Sequence, residues 1–253
     1  MPNCVVREWR NLILALGFFT RIPVPSVDNF QESDLNSASK YFPLVGWLIG
    51  AIAALVFWLS CQIFTQDIAI ILSMIASIYA TGAFHEDGLT DAVDGLGGGW
   101  EKEQVLTIMQ DSRIGSYGAV AIILTLLLKY TALTHVAIWM VPLVLIAGHS
   151  VSRLCAVLVM ATQSYVKSSG KAKPLATQLS KRDLFIALFL GLFPLVFFNS
   201  IYCFALGFVA LVWAWFSLVI SKRIGGYTGD CLGATQQLTE VAFYLGVLAC
   251  KSI

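Results

Sequence analysis

Between two long apolar runs lies FHEDGLTDAVDGLGGGW, Phe84 to Trp100, which packs Glu86, Asp87, Asp91 and Asp94 into nine residues. Asp87, Asp91 and Asp94 follow the i, i+4, i+7 spacing, so in a helix their carboxylates share one face. Like charges at that spacing repel, and a divalent cation held by oxygen ligands neutralises them. Asp91 to Gly95 spell DxxDG, and Gly97, Gly98 and Gly99 follow where a helix would otherwise continue. Glycine lets backbone approach a bulky anion, and Mg²⁺ prefers one or two carboxylates with waters and phosphate oxygens. The pattern suits metal-assisted chemistry on a pyrophosphate at a membrane edge. The plain alternative is a solvated acidic turn, which neither the register of three aspartates nor the glycine run favours.

Further along stands MQDSRIGSYG, Met109 to Gly118. Here Asp111 is a candidate fourth metal ligand and a neighbour for substrate-binding Ser112, Arg113 is a candidate phosphate partner, and Gly115 permits close approach. Asp111 and Ser112 are equally good helix caps. His149, Ser150, Ser152 and Arg153 interrupt an apolar run, and an arginine there must face either an anion or a buried carbonyl or carboxylate. His85 and His149 read as hydrogen-bonded structural residues. The last cluster, Lys222 to Glu240, holds the substrate-binding candidates Arg223, Gly226, Thr228, Gly229, Asp230, Gln236 and Glu240. Gln236 and Glu240 share a helical face, which suggests a second polar site opposite the acidic segment. Lys222 and Arg223 serve equally well as positive-inside anchors.

The elements that must carry these groups are set by composition. The chain is 58% hydrophobic and 12% charged with mean hydropathy +0.78, far from the soluble norms of about 45 to 50% and about 25%. It reads as an all-α, polytopic membrane bundle of about seven transmembrane helices in one domain, residues 1–253. The expected spans are Tyr41 to Ile63, Ile68 to Phe84, Tyr117 to Leu133, Val136 to Met160, Leu184 to Phe198, Ile201 to Ile220 and Thr235 to Cys250. Ahead of them, in residues 1–40, Trp9, Leu12, Ile13, Leu16 and Phe19 oppose Arg7, Arg10 and Asn11, the pattern of an interfacial helix. The short apolar run Leu12 to Phe19, lacking a cleavage site, argues against a signal peptide. An acidic catalytic loop, 85–118, and loops 161–183 and 221–234 then share one face.

With the amino terminus inside, thirteen of the sixteen Lys and Arg fall on the cytoplasmic side, Lys129 and Lys251 on the other, and Arg153 within a span. The expected location is the cytoplasmic (inner) membrane with the site facing the cytoplasm. Six scattered cysteines without a CxxC pair read as small apolar fillers. A net charge of +1 and no basic, aromatic surface pattern give no sign of a nucleic-acid partner. The partner is the bilayer, and the oligomeric state stays open, a homo-oligomer included.

Taken together, HEDGLTDAVDGLGGGW, MQDSRIGSYG, the SR of Ser152 and Arg153, KRIGGYTGDCLGA, FFTRIPVP and FPLVG closely resemble the cobalamin synthase family, the adenosylcobinamide-GDP ribazoletransferases, in the family's order and over nearly the whole chain. Thr90 stands where alanine is common, and Glu86 adds an acid outside the core aspartates. The resemblance implies transfer of the adenosylcobinamide phosphate group from adenosylcobinamide-GDP to α-ribazole or its 5′-phosphate, with release of GMP. It implies Mg²⁺ on Asp87, Asp91, Asp94 and Asp111, phosphate clamps in Arg113 and Arg153, and Asp94 or Asp91 as the base.

Two other classes fit parts of the sequence. DxxDG also resembles the start of the CDP-alcohol phosphotransferase signature, but Gly98 and Gly99 and the lone Asp111 depart from its continuation. A divalent-cation transporter would need acids near the membrane midplane rather than gathered in one polar segment.

Overall fold

The computed structural model describes residues 4–27, 32–166 and 179–251. Lys167, Lys171 and Lys173, part of the expected loop 161–183 and of the basic-residue topology, lie outside the described residues.

Helix α1, Cys4–Phe19, is followed by α2, Glu32–Ala38, and a single 3-10 turn, Ser39–Tyr41, that runs into α3, Phe42–Ser60. Pro43 opens α3, where its missing N–H costs no helical bond. From Asp34 to Ser60 these pieces form an apolar rod of 27 residues. Its Gly46 and Gly50 let it lie against α8, Val141–Thr162: a Cβ on Gly46 would sit 2.3 Å from the His149 carbonyl oxygen. Small residues at such crossings let helix backbones pack directly in a bilayer.

Helix α4, Gln66–Thr81, ends in a left-handed cap at Gly82 (φ 66°) and Ala83 (φ 57°), and α5, Phe84–Gly98, leaves at 86° to it. The bend is braced from outside. Arg21 N donates to Ala80 O at 2.8 Å, while Phe19 packs its ring on Phe42, Phe84 and His85. The FFTRIP segment therefore works as a strut for the corner. The short α6, Lys102–Ile108, leads to α7, Ser116–Thr134, and after α8 come α9, Lys181–Leu192, two 3-10 turns, α10, Ala205–Ile224, and α11, Gly229–Lys251.

The bundle is all-helical among the described residues, but the expected seven spans reduce to four: Asp34–Ser60, Ser116–Thr134, Val141–Thr162 and Ser200–Ile224, or five if the bent α4–α5 pair counts as one. The reasons are physical. Helix α9 has 12 residues and covers about 18 Å of a hydrocarbon core of about 30 Å. Helix α11 is long enough, but its polar stretch Gln236, Gln237, Thr239 and Glu240, buried in the protein interior, makes it less apolar than the four spans. The rows that face outward, Ile71 and Ile75 on α4, Ile123, Leu124 and Leu127 on α7, and Leu211, Trp215 and Leu218 on α10, are apolar and exposed, as lipid-facing surfaces are.

The acidic segment is not a loop. Residues 84–98 are helical despite four glycines, three of which serve close packing: Gly88 on α11, Gly95 on Met109, Gly97 on Tyr117. Within 221–234, likewise, only a turn separates α10 from α11.

Helix α1 is helical as expected, yet it docks on the bundle by a partly polar face. Asn11, Ile13, Ala15 and Phe19 are buried, Arg10 pairs with Asp34 at 2.8 Å, and Trp9, Val5 and Val6 point outward. Beneath it Lys40, 3% exposed, bonds Glu8 at 2.6 Å and Asp183 of α9 at 3.0 Å.

Candidate active site

The three in-register aspartates do share one side of α5, at graded depth: Asp87 is exposed, Asp91 half-buried and Asp94 buried. Gly88, between the first two, lets α5 meet the start of α11, where a Cβ would lie 3.1 Å from Asp230 O and 3.2 Å from Gly233 Cα. This contact sets the backbone of Asp230 against α5 at Gly88, between Asp87 and Asp91 in the chain.

Asp94 has a defined task. Its Oδ2 accepts the Gly115 amide at 2.8 Å and its Oδ1 the Gly118 amide at 2.9 Å, at the amino-terminal end of α7. A carboxylate there satisfies unpaired donors and complements the helix dipole. Any Cβ on Gly115 or Gly118 would lie 2.3 or 2.4 Å from Asp94 oxygens, so GSYG is shaped to admit this side chain.

Asp111 and Arg113 form an exposed pair two residues apart, Nη2 to Oδ2 at 2.6 Å. The hydrogen bond from Arg113 holds the Asp111 carboxyl down at about 2. Together with Asp94, Gly98, Ile108, Gly115 and Tyr117 they line an open pocket of about 440 Å³. Ser112 is exposed beside it.

The wall nearest α11 is a backbone construction. The residues of the bridge Tyr165 to Tyr227 exchange bonds through Val166 N to Tyr227 O and Tyr227 N to Ser164 O, both 3.0 Å. At Gly226 a Cβ would strike Ser164 O, 2.1 Å away. Burial pushes the Tyr165 hydroxyl up to about 12, so it stays a neutral donor. Thr228 caps α11: its Oγ1 accepts the Cys231 amide at 3.3 Å and lies 3.2 Å from Asp230 Oδ2. Arg223 donates to the Gly99 carbonyl, tying the end of α10 to the end of α5. Gly229 opens α11 beside this turn.

Three expected substrate contacts lie elsewhere. Arg153 is buried, its Nη1 on His149 O at 3.0 Å, and it lines a tight cleft with Phe18, Phe42, Phe84 and His85 rather than the open pocket. Gln236 bonds Ser152 at 3.0 Å and also Glu240. Glu240, 1% exposed, takes Lys129 Nζ at 2.9 Å, His149 Nδ1 at 3.1 Å and Tyr244 OH at 3.0 Å. Lys129, which the basic-residue pattern assigns to the side opposite the cytoplasm, is buried in the protein interior. The sequence does carry the signal: one lysine and one glutamate, each alone in an apolar run, are a ready pair.

The four expected metal ligands are therefore not gathered into one cage, and among the described residues no three His, Cys, Asp or Glu side chains converge on a common point. Mg²⁺ asks for less, and a half-exposed pair of carboxylates one turn apart, Asp87 and Asp91, meets its preference for two carboxylates plus water and phosphate oxygens.

Comparison with known proteins points the same way as the motifs. The profile of the family described as CobS, cobalamin-5-phosphate synthase, matches residues 11–248. The chain is 44% identical over 255 residues to an adenosylcobinamide-GDP ribazoletransferase of Ralstonia pickettii (strain 12J), covering 99% of both chains. It is 46% identical to those of Shewanella frigidimarina, covering 96% of both, and Shewanella piezotolerans, covering 96% of this chain and 98% of the relative. No solved structure matches it. With the family's profile spanning nearly its full length and its motifs assembled around one corner of the bundle, this chain belongs to the cobalamin-5-phosphate synthase family.

Proposed function

We propose that this protein is a membrane enzyme that transfers the adenosylcobinamide phosphate group from adenosylcobinamide-GDP to α-ribazole or its 5′-phosphate and releases GMP, completing cobalamin. The family and its relatives' names support the reaction. The observation that carries the site is the carboxylate pair Asp87 and Asp91 on a helix turned 86° out of the direction of its predecessor, beside a pocket lined by Arg113.

In this reading a ribose hydroxyl attacks the phosphorus that bears the cobinamide. The new bond joins that phosphorus to the ribose oxygen, the bond to the GMP oxygen breaks, and GMP leaves with the electron pair. Asp87 and Asp91 would hold Mg²⁺, which would neutralise the pyrophosphate and the charge growing on the leaving group. Asp91 takes the hydroxyl proton, since both oxygens of Asp94 already accept backbone N–H groups. Arg113 exchanges Asp111 for a phosphate oxygen, which its exposure permits. Asp230, Thr228 and the GGYTG turn border the other side of the pair.

The site faces the cytoplasm across the inner membrane in this proposal, supported by the basic residues Lys102, Arg113, Lys222 and Arg223 at the same end of the bundle. Reconstituted protein given both substrates will release GMP in the presence of Mg²⁺ and will do so at least a hundredfold more slowly as Asp91→Asn. Folded wild type that releases CMP from CDP-alcohols, or passes metal into sealed vesicles, without GMP release from adenosylcobinamide-GDP, would overturn the assignment.

A further inference from the structure

Glu86 stands next to Asp87 but turns toward α11 and the bundle interior. Its Oε1 accepts Gln237 Nε2 at 2.9 Å, and its Oε2 is buried without a hydrogen-bond partner. Gln237 is fully engaged. Its amide N–H groups go to Glu86 and to Gln236 Oε1 at 2.9 Å, and its carbonyl accepts Lys129 Nζ at 3.1 Å. An amide suits that place, presenting donors to a carboxylate and an acceptor to an ammonium. Lys129 then passes to Glu240, and Glu240 to His149 and Tyr244. One chain of side-chain bonds thus runs from α5 through α11 to α7 and α8.

Stability alone does not explain it. Burying paired ions is often no better than apolar packing of the same volume, because desolvation cancels much of the attraction. The α4–α5 corner explains it better. The break at Gly82 and Ala83 frees α5 from the helix before it, so its rotation is set by what it touches. Gly88 against Asp230 fixes its closeness to α11, but a glycine crossing gives no hold against rolling. The Glu86–Gln237 bond gives one on the α11 side near Asp87 and Asp91, as the bonds of Asp94 do on the α7 side.

We propose that Glu86 is a positioning residue: held by Gln237, it sets the roll of α5 and so aims Asp87 and Asp91 at the substrate pyrophosphate. This rests on the reaction proposed above. In protein that keeps its wild-type elution and melting behaviour, Glu86→Ala will lower kcat about ten- to a hundredfold with KM for both substrates little changed. Glu86→Gln, whose amide oxygen still accepts from Gln237, will recover most of it. Gln237→Ala will match Glu86→Ala, and the double variant will be no slower than either. Wild-type kcat in folded Glu86→Ala, or effects that multiply in the double variant, would overturn the proposal. Should wild type release no GMP, the reaction fails instead, and amide exchange judges the positioning: faster exchange across Phe84–Gly98 in Glu86→Ala but not in Glu86→Gln supports it, and unchanged exchange overturns it.

Discussion

Asp94 of α5 and Gly115 before α7 are joined by a 2.8 Å bond from a backbone amide to a carboxylate, and the same carboxylate closes on Gly118. One side chain thus caps a membrane-embedded helix and ties the acidic helix to it. Asp94→Ala should cost about 1.5 to 3 kcal/mol for the lost charge-assisted bonds, read as a lower melting temperature in detergent. Asp94→Asn should retain part of the cap through its amide oxygen and melt between the two.

Asp87 and Asp91 should behave in the opposite way. Asp87 is exposed, so Asp87→Asn should shift stability by no more than about 0.5 kcal/mol, while both Asp87→Asn and Asp91→Asn lower turnover at least a hundredfold. A chelator should stop wild-type GMP release, and added Mg²⁺ should restore it without changing the fold seen by circular dichroism.

Lys129 and Glu240 form a buried pair whose single disruption leaves an uncompensated charge. Lys129→Met should destabilise by about 3 to 5 kcal/mol, and adding Glu240→Gln should return part of that loss. Comparing the three melting curves in one detergent checks it.

Helix α1 should loosen in acid. Burial alone would raise the Glu8 carboxyl, but hydrogen bonds from Lys40 and Tyr41 outweigh it and hold the group below its ordinary 4.5. Its contribution is therefore complete above that ordinary value and is lost as pH falls through the lower folded one. Protease cleavage within Cys4–Phe19 should speed up over that window in wild type, and Glu8→Gln should cleave at the fast rate at every pH.

The membrane class, the helical register of Asp87, Asp91 and Asp94, and the motif order were all legible in the sequence, since each depends on local spacing or composition. What was hidden depends on partners far along the chain. Glu240 and Gln236 look like a polar site when only their own helix is considered, and become interior once Lys129 and Ser152 arrive from other helices. Gly95, Gly97 and Gly98 look like a helix end, because the spacing does not show that Met109 and Tyr117 press against two of them. Asp94 and Asp91 are indistinguishable in DxxDG, and only the fold gives one of them to the backbone of α7.

Lys40 touches Glu8, made long before it, and Asp183, made long after. At synthesis rates of about 5 to 20 residues per second, its second carboxylate emerges on the order of ten seconds later. During that interval Lys40 has only Glu8 as its carboxylate partner, and its bridge to α9 is the last of its bonds to close.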